Sequence, residues 1–293
     1  MTINTGVTVK NTGSYSSMIE NGYFSYYDLN HRNGYVSGTN RENPVLTING
    51  GEFVVGLNSV KNDDGGILNI TDGNFSNTTQ AAVLNWNEAT ISGGTFTVTA
   101  EKCNAVLNGA YSSSSSENDK GKLTITGGSF ISTGDPVENY FTGVTKPAVS
   151  GGNFSASVDE DFLTDDIKAE LYSAKNPEAP YSYYKSLEAA QKVAEPGDIV
   201  TDLSNVEDGA EKVTVVINDG IGSVATAEVN SGSNIILPFF PRRLIVRVIC
   251  LVVGVMTAAT STSPAMKSKS PATPHLPLSG AVYPPSPAPT ASP

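Results

Sequence analysis

Apolar and polar residues alternate over short stretches of this chain, and the same alternation keeps returning. Leu46-Thr47-Ile48-Asn49-Gly50-Gly51-Glu52-Phe53 comes back as Leu68-Asn69-Ile70-Thr71-Asp72-Gly73-Asn74-Phe75, as Ala89-Thr90-Ile91-Ser92-Gly93-Gly94-Thr95-Phe96 and as Leu123-Thr124-Ile125-Thr126-Gly127-Gly128-Ser129-Phe130. A fifth copy, Ala148-Val149-Ser150-Gly151-Gly152-Asn153-Phe154, is one residue shorter. A period of two belongs to a strand with one face buried, so Leu46 and Ile48 point inward while Thr47 and Asn49 point outward. The Gly-Gly or Asp-Gly pair supplies a turn with positive φ, and the phenylalanine beyond it re-enters the core. Phe53, Phe75, Phe96, Phe130 and Phe154 lie 22, 21, 34 and 24 residues apart. One such corner per copy predicts a β-solenoid over residues 1–157, because a single coil cannot bury its apolar face and stacked neighbours do it instead. About seven coils rising ~4.8 Å each are expected.

A weaker repeat lies between these corners: Val55-Gly56-Leu57-Asn58, Ala82-Val83-Leu84-Asn85 and Ala105-Val106-Leu107-Asn108. It predicts a second wall, with Asn58, Asn85 and Asn108 stacked so that their amides bond one another along the repeats. Asn62-Asp63-Asp64-Gly65-Gly66 and Ser112 to Ser116 followed by Glu117-Asn118-Asp119 read as loops pushed out from the coils. Asp63 and Asp64 carry oxygens that suit calcium, but the spacing lacks the rest of a ligand set, and a solvated turn is the simpler reading. Tyr23, Tyr26, Tyr27 and Tyr35 form an aromatic group near the start. It could stack on sugars, or it could be ordinary cross-strand packing.

Beyond Phe154 the pattern changes. Ser157-Val158-Asp159-Glu160 has the form of a capping box, followed by apolar positions Phe162, Leu163, Ile167 and Leu171 that predict a helix. A second helix is expected from Tyr184 to Ala194, with Leu187, Ala190 and Val193 on one face, ending at Glu195-Pro196-Gly197-Asp198. Strands are expected next at Ile199 to Leu203, Lys212 to Ile217 and Ser233 to Leu237, with Asn218-Asp219-Gly220 as a turn. The organisation is then 1–157 repeats, 158–210 a helix and strand connector, 211–238 a small β module and 239–293 a tail.

Charge sharpens that last boundary. The 293 residues carry a net charge of -11, yet from residue 238 onward there is no Asp or Glu, 5 of the 18 basic residues and 11 of the 17 prolines. Residues 1–237 therefore hold 29 acids against 13 bases, a net of -16, and the tail holds +5. An acidic body excludes nucleic acid and anionic membrane surfaces as partners, since both select positive potential. Cys103 and Cys250 are too few for a disulfide framework. His31 is the only histidine before the tail, which leaves a histidine-based triad without material. The outward repeat positions are Thr, Ser and Asn, and the nearest thing to a glycosidase dyad, Glu52 with Asp72, sits at corners. No catalytic residue and no cofactor are assigned.

The Ile-x-Gly-Gly-x-Phe copies, with Leu187-Glu188-Ala189-Ala190 through Pro196-Gly197-Asp198-Ile199-Val200, resemble the repeat-built surface proteins of gut Firmicutes, whose repeats are similar to pectin-lyase-type parallel β-helices. The resemblance implies an all-β chain: a right-handed parallel β-helix with short helices after it and a small truncated β module. Val213 to Gly220 with Val229 to Pro238 resembles the first half of the Listeria-Bacteroides repeat, a module of the internalin B-repeat type. Together these imply an extracellular or cell-surface repeat protein, a non-enzymatic stalk or adhesin, contacting glycans or a host or neighbouring cell surface. The alternative on the same fold is a polysaccharide lyase or glycoside hydrolase. The opening residues show no signal peptide. Because Ile3 to Val9 already alternate, the expectation is a monomeric fragment of a longer protein whose start lies upstream.

The second half of that module is missing. Joining the third base of each codon to the first two of the next turns Met256-Thr257 into Asp and Met266-Lys267 into Glu, and permits the absent Gly-Tyr-x-Phe-x-Gly-Trp and Thr-x-x-Ala-x-Trp segments. The tail from about Phe239 reads as a frameshift product that forms no packed domain. A membrane anchor at Leu244 to Ala259 is the competing reading, but it contains Arg247 and is shorter than the ~20 residues a spanning helix needs.

Overall fold

The computed structural model describes residues 1–22, 43–63, 65–109, 121–140, 145–204, 212–218, 224–231, 233–237, 245–247 and 256–257. All of them belong to one unit, Met1–Ala258. The chain is mostly β. Its strands are β1 (Thr2–Ile3), β2 (Thr8–Lys10), β3 (Ile19–Asn21), β4 (Val45–Asn62), β5 (Ile67–Asn85), β6 (Glu88–Ile91), β7 (Thr95–Val98), β8 (Asn104–Asn108), β9 (Lys122–Ile125), β10 (Ser129–Ser132), β11 (Val137–Asn139), β12 (Ala148–Val149) and β13 (Asn153–Phe154). After these come β14 (Ala169–Tyr172), β15 (Tyr181–Tyr184), helix α1 (Leu187–Val193), β16 (Ile199–Asp202), β17 (Lys212–Asn218), β18 (Val224–Asn230), β19 (Asn234–Ile236), β20 (Ile245–Arg247) and β21 (Met256–Thr257).

The first thirteen strands pair in parallel as three ladders, each setting a residue beside its equivalent in the next repeat. In the first ladder β1, the start of β4, the start of β5, β6, β9 and β12 align, which stacks Ile3, Ile48, Ile70, Ile91, Ile125 and Val149. In the second, β2, the middle of β4 and β5, β7, β10 and β13 stack Val9 and the phenylalanines. In the third, β3, the ends of β4 and β5, β8 and β11 stack Ile19, Val60, Val83, Val106 and Val137.

Phe53, Phe75, Phe96, Phe130 and Phe154 are each 0% exposed. Their rings run 4.6, 4.6, 4.9 and 5.1 Å apart and within 10° of parallel, close to one strand spacing per repeat. Tyr183 of β15 ends the column, its ring 5.7 Å from Phe154 and tilted by 57°.

In the corners Gly93-Gly94, Gly127-Gly128 and Gly151-Gly152 the two glycines have different jobs. Gly94 has φ +97°, a conformation that a side chain disfavours. Gly93 has an ordinary φ, but a Cβ there would run into the carbonyl oxygen of Thr71 in the preceding repeat. Gly93→Ala and Gly94→Ala are each expected to lower stability by more than ~1 kcal/mol. Denaturant melts that match the wild type would mean the corner has room to spare.

The asparagine column differs from the sequence expectation. Asn85 and Asn108 do stack, but their partner in β4 is Asn62, while Asn58 pairs with Ala81 in the register of β5. The spine runs Asn21 to Asn62 at 2.8 Å, Asn62 to Asn85 at 2.8 Å, Asn85 to Asn108 at 2.8 Å and Asn108 to Asn139 at 3.1 Å, each Nδ2 donating to the next Oδ1. The same Nδ2 atoms also reach carbonyls at the openings of the next two rows: Asn21 donates to Pro44 and Ile67, Asn62 to Gly66 and Glu88, Asn85 to Asn87 and Lys122, and Asn108 to Thr145. The shift arises from a register irregularity between Gly56 and Asn58, beside Val55 at φ +73°. Asn58 instead donates to the carbonyl of Ala81 and accepts from Ser17 Oγ.

Past the repeats the pairing turns antiparallel, in the order β13, β15, β14, β16, β19, β20. The helix expected through Leu171 is one turn of 3-10 helix, Glu160–Phe162, capped by Asp159 rather than Ser157. Leu171 lies instead in β14, where Ala169, Glu170 and Leu171 are all buried between two strands, and pairing on both sides outweighs the helical spacing. The second helix begins later than expected, at Leu187 after the Ser186 cap, because Tyr181–Tyr184 is a strand. It packs Ala190 against Ala169, Leu171, Val200 and Ile236. In the second sheet β17 pairs antiparallel with β18, a strand the sequence did not announce, and parallel with β21. β21 meets only Ile217 and Asn218 of β17 among the described residues, while β19 lies between β16 and β20. Apart from β20 and β21, the expectations for residues 239–293, frameshift and anchor included, fall outside the described residues. Among the described residues no helix is long and apolar enough to cross a membrane.

Candidate functional site

Tyr23, Tyr26, Tyr27 and Tyr35 lie outside the described residues, as does Asp64. Asp63 is fully buried, and its carboxylate receives Lys61 Nζ at 2.8 Å. Lys61 also reaches Glu20 at 3.3 Å and sits 3.9 Å from the centre of the Trp86 ring. Burial, with hydrogen bonding to Asp63 next, lifts the Glu20 carboxyl to about 7. Asp63 is therefore held in an ion-pair cluster, and no group of three His, Cys, Asp or Glu able to hold a metal exists among the described residues. Glu52 and Asp72 are exposed at their corners, where Glu52 accepts from Asn74 at 3.0 Å and Asp72 from the Gly73 amide at 2.8 Å.

The residues that do converge come from the end of the third ladder and from the strands beyond the repeats. Asp135, Val137, Glu138 and Asn139, in and just before β11, line a cleft of about 550 Å³. Ser157, Asp159, Phe162 and Lys212, the first residue of β17, line the same cleft. Next to the cleft Glu170 is buried within β14, 5% exposed. Ser157 Oγ donates to Glu170 Oε2 at 3.0 Å, receives Lys212 Nζ at 3.0 Å and lies 3.4 Å from the Tyr183 hydroxyl. Tyr183 in turn accepts the Val158 amide at 2.7 Å.

Burial pushes the Glu170 carboxyl up to about 7, against the opposing pull of Tyr183, Ser157 and the Lys212 charge. Burial and the neighbouring Glu170 charge raise the Tyr183 hydroxyl well above its ordinary value. The native state thus keeps a proton on Glu170 that the unfolded chain releases near 4.5. Its contribution to stability is complete below pH ~4.5 and is lost as pH rises through about 7, a swing on the order of 3 kcal/mol. Glu170→Gln should remove this loss between pH 5 and pH 8 in denaturant melts, leaving the part due to Glu20. An unchanged loss would show that Glu170 does not titrate in this window.

None of this cluster has a local sequence signature. Ser157, Glu170, Tyr183 and Lys212 lie 13, 13 and 29 residues apart on different elements, and only the antiparallel pairing of β14 with β15 and the crossing of β17 gather them. No protein-family model, no curated protein and no solved structure matches this chain.

Proposed function

We propose that residues 1–157 form a right-handed parallel β-helix and that the chain is a secreted cell-surface repeat protein, a stalk or adhesin that acts by presenting a surface. The observation that carries this reading is the stacking of equivalent residues in all three parallel ladders, which builds length by adding rows. Such an object grows along one axis, the form a stalk requires. The outward positions of the repeats are Thr, Asn and Ser, side chains suited to hydrogen-bonding hydroxyl-rich partners. Tyr23, Tyr26, Tyr27 and Tyr35 are the aromatic residues in the sequence best suited to contact glycans.

A glycan array with the full chain tests the binding side of the proposal, and selective retention of glycans is the expected result. A reducing-end assay on pectins, host glycans and mannans tests the other side. Turnover of any of these would replace the stalk by a polysaccharide-cleaving enzyme.

A further inference from the structure

Ser157 goes beyond the stalk reading, which requires no reacting group. We propose that Ser157 is an acyl-accepting nucleophile, and that the acyl group it takes from an ester carries a protonated amine. The serine hydroxyl has the surroundings that such a step needs. Its hydroxyl already bonds the Glu170 carboxyl, Oε2 at 3.0 Å, which becomes a base once it loses its proton, and an ammonium, Lys212 Nζ at 3.0 Å, already lies on its oxygen. A base that takes the proton and a cation that holds the developing alkoxide together make a weak nucleophile reactive. The oxygen also borders open space, since Ser157 lines the cleft of about 550 Å³ while Glu170 behind it is buried. A serine that served only to satisfy a buried carboxyl would have no use for either the cleft or the lysine.

Asn139 supplies a further group. As the last rung of the asparagine spine its Oδ1 is taken by Asn108, and its Nδ2 has no partner among the described residues. The side chain lines the same cleft, so the amide is a donor available to an ester carbonyl as it becomes an oxyanion.

The step balances without any co-reactant. A bond forms between Ser157 Oγ and the acyl carbon, the bond from that carbon to the ester's alcohol oxygen breaks, and its electron pair leaves with the alcohol. The Ser157 proton passes to Glu170 and from there to the departing alkoxide. The products are acyl-serine and alcohol, with no change in oxidation state.

The cleft's charge chooses the ester. Asp135, Glu138 and Asp159 line it, none is in an ion pair among the described residues, and Lys212 is the one cation beside them. A neutral or anionic acyl group would leave this excess of negative charge in place, whereas an amine-bearing one offsets it.

The test uses the full chain and two alkyl fluorophosphonates of equal length, one ending in trimethylammonium and one neutral, read by intact mass and peptide mapping. The expected result is a single adduct on Ser157, formed about fivefold faster or more with the cationic probe. Labelling should rise with pH to a plateau above about 7, as Glu170 loses its proton in a setting that includes Tyr183, Ser157, Lys212 and Glu160. Glu170→Gln, which keeps the shape, should slow labelling ~100-fold or more, and Ser157→Ala should abolish it. No adduct on Ser157 of the folded full chain overturns the proposal. So does labelling of the Glu170→Gln chain at the wild-type rate. A neutral probe that reacts as fast as the cationic one overturns the choice of ester. Polysaccharide turnover in the reducing-end assay would sink the stalk and leave this result untouched.

Discussion

Replacing Phe96 by alanine is expected to lower the unfolding free energy by about 3–5 kcal/mol. The ring is 0% exposed, with Phe75 stacked on one side at 4.6 Å and Phe130 on the other at 4.9 Å. Both neighbours are fixed in register by β5 and β10, so neither can move along the column to fill the gap. A cavity in a stack cannot be closed from above or below, and the loss should sit at the large end of what buried phenylalanines show. Denaturant melts decide it. A change under ~1 kcal/mol would mean that the column is ornamental and that the ladders hold without it.

The spine of asparagines responds to charge in the same size range. Asn85→Asp is expected to destabilise by about 3–5 kcal/mol at pH 8. Asn85 accepts one bond, from Asn62, but its Nδ2 faces three acceptors: Asn108 Oδ1 at 2.8 Å and the carbonyls of Asn87 and Lys122 at 3.3 and 3.4 Å. A carboxylate there would meet oxygen on every side that the amide had met with N–H, in a position with no exposed surface. Protonated, the same side chain has one O–H to give to Asn108. The folded pKa must then lie above the unfolded value, so the native state holds the extra proton. The loss should be small at low pH and grow as pH rises through the folded value. Equal losses at pH 5 and pH 8 would contradict this.

These two columns were not equally legible in the sequence. The phenylalanines announce themselves because each comes after a glycine corner and a period-two stretch, and glycine is there for reasons of backbone geometry that nothing else satisfies. The asparagines mislead at one place. In β4 the position matching Leu84 and Leu107 is Lys61, which breaks the apolar pattern and lets Leu57-Asn58 look like the better match. Lys61 is tolerated because Asp63, Glu20 and the Trp86 ring surround it, and all but Asp63 are far from it in sequence. Local pattern cannot show a compensation that folding itself creates. The stretch after Phe154 fails for a related reason: Phe162, Ile167 and Leu171 fit one face of a helix, but β15 and β16 offer β14 two sets of hydrogen bonds. The cleft was invisible altogether, since its residues share no spacing.

The side-chain spine also settles where this chain can change. Every asparagine on it stands at the end of a third-ladder strand, and Asn21, Asn62 and Asn85 each hold a carbonyl of the stretch that opens the next row, at Pro44, Gly66 and Asn87. The segment between the two points in sequence varies widely: 22–44 after Asn21, 63–66 after Asn62 and 86–87 after Asn85, and the segments 109–121 and 140–147 that follow Asn108 and Asn139 differ in length again. Where the amide fixes both ends, after Asn21, Asn62 and Asn85, the register of a row is blind to the length of the segment inserted there, and closing a longer segment adds little entropy. That corner is a grafting port. Foreign segments of two residues or twenty can be carried there on successive rows, while the glycine corner, tied by close backbone contact at positions such as Gly93, keeps one length from residues 48–53 through 149–154.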